Sequence, residues 1–135
     1  MYRFMLTGLL ALAIMVTGAA QAADDKPESI GDIMKKAHSG ENAFRKEIAK
    51  NLKVKDFDAA ATTMKAWSAI ASHLNEFEPP KGSKESWKKM TKKYADSVKA
   101  LAKTIDDKNV SAATKQLDVI NKKGCGGCHS AHKGK

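Results

Sequence analysis

The sequence predicts an all-α protein, an antiparallel up-down-up-down bundle of four helices. Three observations carry this expectation. After Ala23, apolar residues recur at three- and four-residue intervals with Lys on the opposite faces. No segment shows the period-two alternation of a half-buried strand. Proline occurs only at Pro27, Pro79 and Pro80, and the breaks between periodic stretches are short. Short connections make consecutive helices antiparallel neighbours.

The N-terminal stretch stands apart from this pattern. Met1 to Phe4 carries one cation, Arg3, and Met5 to Val16 is an apolar run. Ala20-Gln21-Ala22 then supplies the small-x-small pattern that a signal peptidase reads. The run falls short of the roughly 20 residues that span a bilayer, and Asp24 and Asp25 follow it at once. A signal peptide over residues 1–22 is therefore expected, with export to the periplasm and no stable membrane insertion. Residues 23–135 are then long enough for one domain and hardly for two.

The first helix is expected to open near Pro27 and to carry Ile30, Ile33, Met34, Ala37, Phe44 and Ile48, with a kink or split at Ser39-Gly40. The second follows Asp56 or Asp58, both suitable N-caps, with Phe57, Ala60, Met64, Trp67, Ala71, Leu74 and Phe77 on its buried face. Glu78-Pro79-Pro80-Lys81-Gly82 cannot continue a helix and is the clearest loop. Ser83 caps the third helix, which presents Trp87, Met90, Tyr94, Val98, Leu101 and Ile105. After a turn at Asp106 to Asn109, the fourth runs from Asn109 or Ser111 through Val110, Ala113, Leu117 and Ile120 to the cysteines.

Charge narrows the class of partner. Lys and Arg number 24 against 15 Asp and Glu, a formal net charge of +9. The excess is nearly all Lys and runs along the whole chain, which favours solubility and steers towards acidic partners. An exported chain without an Arg-rich or aromatic-interleaved patch does not fit nucleic acid. No carboxylate dyad and no Ser/His/Asp set stands out, so an enzyme is not expected.

The two cysteines need a chemical explanation. Cys125 and Cys128 enclose only two residues, so a disulfide between them would close almost no loop. With Gly126, Gly127 and His129 they form C-x-x-C-H, the attachment signature of c-type haem. Two thiols can add across the haem vinyl groups, and the adjoining imidazole of His129 can take the iron from the proximal side. The two glycines put no side chain between the anchors. A thioredoxin-like dithiol needs βαβ surroundings, and a zinc site built from Cys125, Cys128, His129 and His132 would be cramped. One covalent haem c is the expectation.

Attachment leaves the opposite face of the iron open. In an up-down-up-down bundle the start of the first helix meets the end of the fourth, so a distal ligand should come from the first turns. Met34 and His38 both sit there, four residues apart and about 6 Å along the axis. Met34 lies on the apolar stripe and is preferred, with His38 the alternative. Trp67 and Trp87 fit core stripes, and either could line the haem. His73 reads as a surface side chain, and His132 as a propionate contact or a solvent-facing residue. Lys122, Lys123, Lys133 and Lys135 would ring the haem edge, where an acidic redox partner docks.

The attachment motif at the far C-terminus of a small helical chain resembles the class II c-type cytochromes, the cytochrome c-prime group and its low-spin His/Met relatives. Cys125-Gly126-Gly127-Cys128-His129, Met34-Lys35 and the Pro79-Pro80 loop carry the resemblance. It implies haem bonded to Cys125 and Cys128, His129 proximal and Met34 distal, in a one-electron carrier with six-coordinate iron. A five-coordinate, cytochrome c-prime-type protein binding nitric oxide or carbon monoxide is the alternative. Relatives of this kind often pair through their first two helices, so a homodimer is compatible with the resemblance. Two positions depart from the pattern: Ile30 stands where many relatives have Arg, and His132 where an aromatic is frequent.

Overall fold

The computed structural model describes residues 26–134; the expected signal peptide, residues 1–22, and Lys135 lie outside them. Among the described residues there are helices and connections and no strand. Ser29, not the turn at Pro27, sets the first helix. Its Oγ accepts the Asp32 amide at 3.1 Å, and α1 runs Ile30–Met34. The helix then widens into a π turn over Lys35–Ser39. Gly40 ends it, its amide bonded to the Lys35 carbonyl at 2.8 Å. A Cβ at Gly40 would stand 2.9 Å from that oxygen, so the stop suits glycine alone. The break expected at Ser39-Gly40 is complete, and α2 (Phe44–Val54) is a separate helix.

The remaining boundaries follow local capping chemistry. The Asp56 carboxylate accepts the Ala59 amide at 3.0 Å and starts α3 (Phe57–Ser72), which tightens into a 3₁₀ turn at His73–Glu76. Ser83 accepts from the Ser86 amide at 3.2 Å and starts α4 (Lys84–Asp106). Asn109 caps α5 (Val110–Val119). From there a second π turn, Ile120–Gly124, leads straight into α6 (Cys125–His132).

α2 packs on α3, α3 on α4 and α4 on α5, while α5 returns to α2 and closes the ring. This arrangement is compatible with a helical bundle. Ile33, Ile48, Met64, Trp67, Leu101 and Ile120 are among the side chains buried inside it. Each such residue contributes about 1.5–3 kcal/mol by leaving water, which is why these stripes decide the packing. Phe44, Phe57 and Phe77 pack against the core from its margin and are only half-buried. Thr91 is buried on α4 without belonging to the expected stripe; its hydroxyl is satisfied by the Trp87 carbonyl at 3.0 Å. Among the described residues, no helix is long and apolar enough to cross a membrane.

Candidate functional site

The two π turns border one cleft. His38 comes from the first and Gly124 from the second, and both line the same cavity of about 290 Å³. An extra residue in a helical turn rotates everything after it relative to what came before. Such turns are rare and concentrate at functional sites. Here they bring Met34 and His38, near the start of the described chain, onto the same cavity as Cys125, Cys128 and His129 near its end. Trp87, Met90 and Tyr94 of α4 contribute further lining, with Leu74 and Pro80 from the connection before it.

The lining is almost wholly apolar, and its polar atoms are mostly accounted for. Trp87 Nε1 donates to the Leu74 carbonyl at 3.2 Å, so the indole presents only carbon to the cavity. Cys125 and Cys128 are both free and half-buried. Burial pushes both thiols above the usual cysteine range; for Cys125 the Arg45 charge partly opposes this, and for Cys128 its fellow cysteine adds to it. They are therefore held as thiols. His129 is exposed at the cavity margin. Ideal Cβ atoms on Gly126 and Gly127 would meet nothing within 4 Å, so the protein itself leaves space beside the motif.

Met34 and His38 share this cavity but differ in availability. Met34 is half-buried against the core and lines the cavity. His38 is committed elsewhere. Trp67 Nε1 donates to the Tyr94 oxygen at 2.8 Å, and His38 Nε2 lies 2.8 Å from the same oxygen. The Tyr94 oxygen accepts the indole N–H and shares a second hydrogen bond with His38 Nε2, a bond that either neutral imidazole tautomer can make. Nδ1 is itself buried with no hydrogen-bond partner. Burial pushes the Tyr94 hydroxyl far up, so it stays protonated. Arg45 Nε donates to the His38 carbonyl, which ties the end of the π turn to α2.

Burial, with the Arg45 and His129 charges adding, lowers the His38 pKa from 6.5 to about 4. The unfolded chain then binds the proton more readily between those values. Stability is full above pH 6.5 and falls as the pH drops towards 4. Allowing for the ring's partial exposure, the loss is on the order of 2 kcal/mol. Denaturant titrations at pH 7 and pH 4.5 should show this slope in the wild type and a flatter one in His38→Phe.

The remaining candidate residues meet the structure in different ways. His132 neither faces water nor stands free for a ligand: it is 2 % exposed and both ring nitrogens are engaged, with Lys81 and Ser86. His132 is also the fourth member of the cramped zinc set, and both its nitrogens are taken by these hydrogen bonds. Of the lysines near the motif, Lys122 is paired with Asp118 at 2.8 Å, whereas Lys123 and Lys133 are exposed and Lys135 lies outside the described residues. Trp67 is a core residue bonded to Tyr94, and Trp87 is the tryptophan that lines the cavity. His73 is half-exposed and bonded to Glu76 at 2.7 Å.

The chain matches no family model, no curated protein and no solved structure. Sequence reading did not single out Tyr94 or Arg45 for the site. Tyr94 was visible only as a stripe residue. Arg45 carried one faint signal: apart from Arg3 it is the only arginine in a chain otherwise rich in Lys. The donor set suits a haem bonded through two thiols: half-buried sulfurs, an imidazole without competing hydrogen bonds among the described residues, a thioether from another helix and apolar walls.

Proposed function

We propose that the chain is an exported monohaem c-type cytochrome that carries single electrons between periplasmic redox proteins. Cys125 and Cys128 hold the haem, His129 is the proximal ligand and Met34 the distal one. One observation carries this reading. The C-x-x-C-H segment and Met34, remote in sequence, line the same apolar cavity. An up-down-up-down course, with α1–α2, α3, α4 and α5–α6 as its four members, would account for that meeting, since it returns the chain's end to its start.

When bound, the haem supplies a one-electron couple whose potential depends on its axial ligands and on burial. The chain's residues supply the rest. Leu74, Trp87 and Met90 exclude water from the cavity. Burial keeps His38 uncharged and the Trp67–Tyr94–His38 hydrogen bonds keep it turned to Tyr94, which favours Met34 as the ligand. A thioether favours the ferrous state, so this pairing sets a higher potential than two imidazoles. Exposed Lys123 and Lys133 near the motif suit an acidic docking surface on the partner.

The decisive experiment is mass measurement of the exported protein after denaturation in acidified solvent. The wild type should retain one haem. Cys125→Ser/Cys128→Ser should retain none, and each single variant should lose most of its attached haem. A wild-type mass equal to that of the bare polypeptide ends this reading. A low-spin ferric spectrum supports six-coordination. A high-spin one, with ready uptake of carbon monoxide on reduction, replaces the electron carrier by the five-coordinate, gas-binding form.

A further inference from the structure

α6 has a structural problem that its motif does not solve. It is the last eight residues of the helical run that begins at Val110, and it contains two adjacent glycines, which weaken a helix. Of its side chains only His132 is buried. Docking of the attachment helix therefore draws on His132, outside the C-x-x-C-H segment, as well as on Cys128, which packs against the core.

His132 is held on three sides. Nδ1–H donates to the Lys81 carbonyl at 2.7 Å, and Nε2 accepts the Ser86 hydroxyl at 3.0 Å. The ring stands edge-on to Trp87, centroids 5.4 Å apart. The loop closes down to meet it at Gly82, whose φ of +83° favours glycine. A Cβ there would lie 2.9 Å from His132 Nδ1 and 3.0 Å from the Ala131 carbonyl oxygen. The mid-chain loop, the first turn of α4 and the last turn of α6 thus meet on one imidazole.

Given the reading of Cys125, Cys128 and His129 as the haem-binding set, we infer that His132 is a positioning residue, a latch that fixes the rotation of α6 about its axis. His129 and His132 are three residues apart and share a helix face, so fixing one ring fixes where the other points. The latch presents His129 and the two thiols to the cavity, and it holds the proximal imidazole in a defined orientation. Its partners Lys81 and Ser86 lie far from the motif in sequence, so it couples the Pro79–Gly82 loop to the haem site.

The test uses the full-length exported protein in wild-type, His132→Phe, His132→Gln, Ser86→Ala and Gly82→Ala forms. Amide exchange over residues 125–132 is measured against α3 and α4. His132→Phe leaves buried polar partners unmet, so exchange in α6 should accelerate roughly tenfold to a hundredfold while α3 and α4 stay protected. Ser86→Ala should do the same more weakly. Gly82→Ala disturbs the latch from the loop side and decides the matter should His132→Phe not fold. His132→Gln can still donate to Lys81 and accept from Ser86, and should restore protection. In haem-loaded protein, the ferric electron paramagnetic resonance spectrum should shift in His132→Phe and return in His132→Gln. Unchanged α6 protection in His132→Phe and Gly82→Ala overturns the latch, as does an equal loss of protection in α3 and α4. An exported chain without haem whose α6 still loosens in Gly82→Ala supports the latch while sinking the proposed function.

Discussion

On the proposed haem-binding reading, Met34→Ala should convert the ferric protein from low-spin to high-spin throughout the population and open the reduced protein to carbon monoxide. The expectation rests on supply and demand for ligands around one cavity. Met34 and His38 are the only side chains of ligand type that α1 and its π turn bring to the lining. His38 Nε2 is held at 2.8 Å from the Tyr94 oxygen, and its Nδ1 is buried. Using either nitrogen would break the Tyr94 bond or turn the ring out of its packing against Trp67. His38→Ala should therefore leave the low-spin spectrum in place. Loss of the thioether also removes what favours ferrous iron, so the potential of Met34→Ala should fall. The side chain is half-buried, so the stability cost should be about 1–2 kcal/mol, below that of a core Met. An unchanged spectrum in Met34→Ala, together with a high-spin His38→Ala, would reverse the assignment.

Trp67→Ala should be the most destabilising single change in the described chain, at about 3–5 kcal/mol. Trp67 is the largest fully buried side chain, at 0 % exposure, and packs at the α3–α4 contact. Removing it leaves a void in the core and deprives the Tyr94 oxygen of its indole donor. Against a total stability of about 5–15 kcal/mol for a domain of this size, that loss leaves little margin. Trp67→Phe separates the two contributions. It keeps most of the volume and loses the hydrogen bond, so it should cost about 1–2 kcal/mol. Chemical denaturation at pH 7 reads both values. Equal costs for the two variants would show that the indole N–H, and not the packing, is what the core needs.

Much of the helical framework was legible in local sequence. Asp56, Ser83 and Asn109 are short polar residues placed just before apolar periodicity, and each caps the helix that follows. The first helix starts after Ser29 and not at Pro27, although proline suits a first turn; the Asp32 amide bonded to the Ser29 hydroxyl sets the start. The π turns at Lys35–Ser39 and Ile120–Gly124 had no signature, since neither segment contains a residue that the α form excludes. They answer to packing on both sides of the cavity.

The order of helices, the loop between α3 and α4, and the C-x-x-C-H segment with Met34 as its partner candidate were determined by the sequence alone. Periodicity, capping and thiol spacing act over a few residues and can be read without knowing the fold. Tertiary structure alone decided that His38 is bonded to Tyr94 and that His132 is buried. Those outcomes depend on Tyr94, Trp67, Lys81 and Ser86, which lie tens of residues away and meet them only when the helices pack. A side chain's hydrogen-bond partners fix its proton and its aim, and partners from other helices leave no local trace.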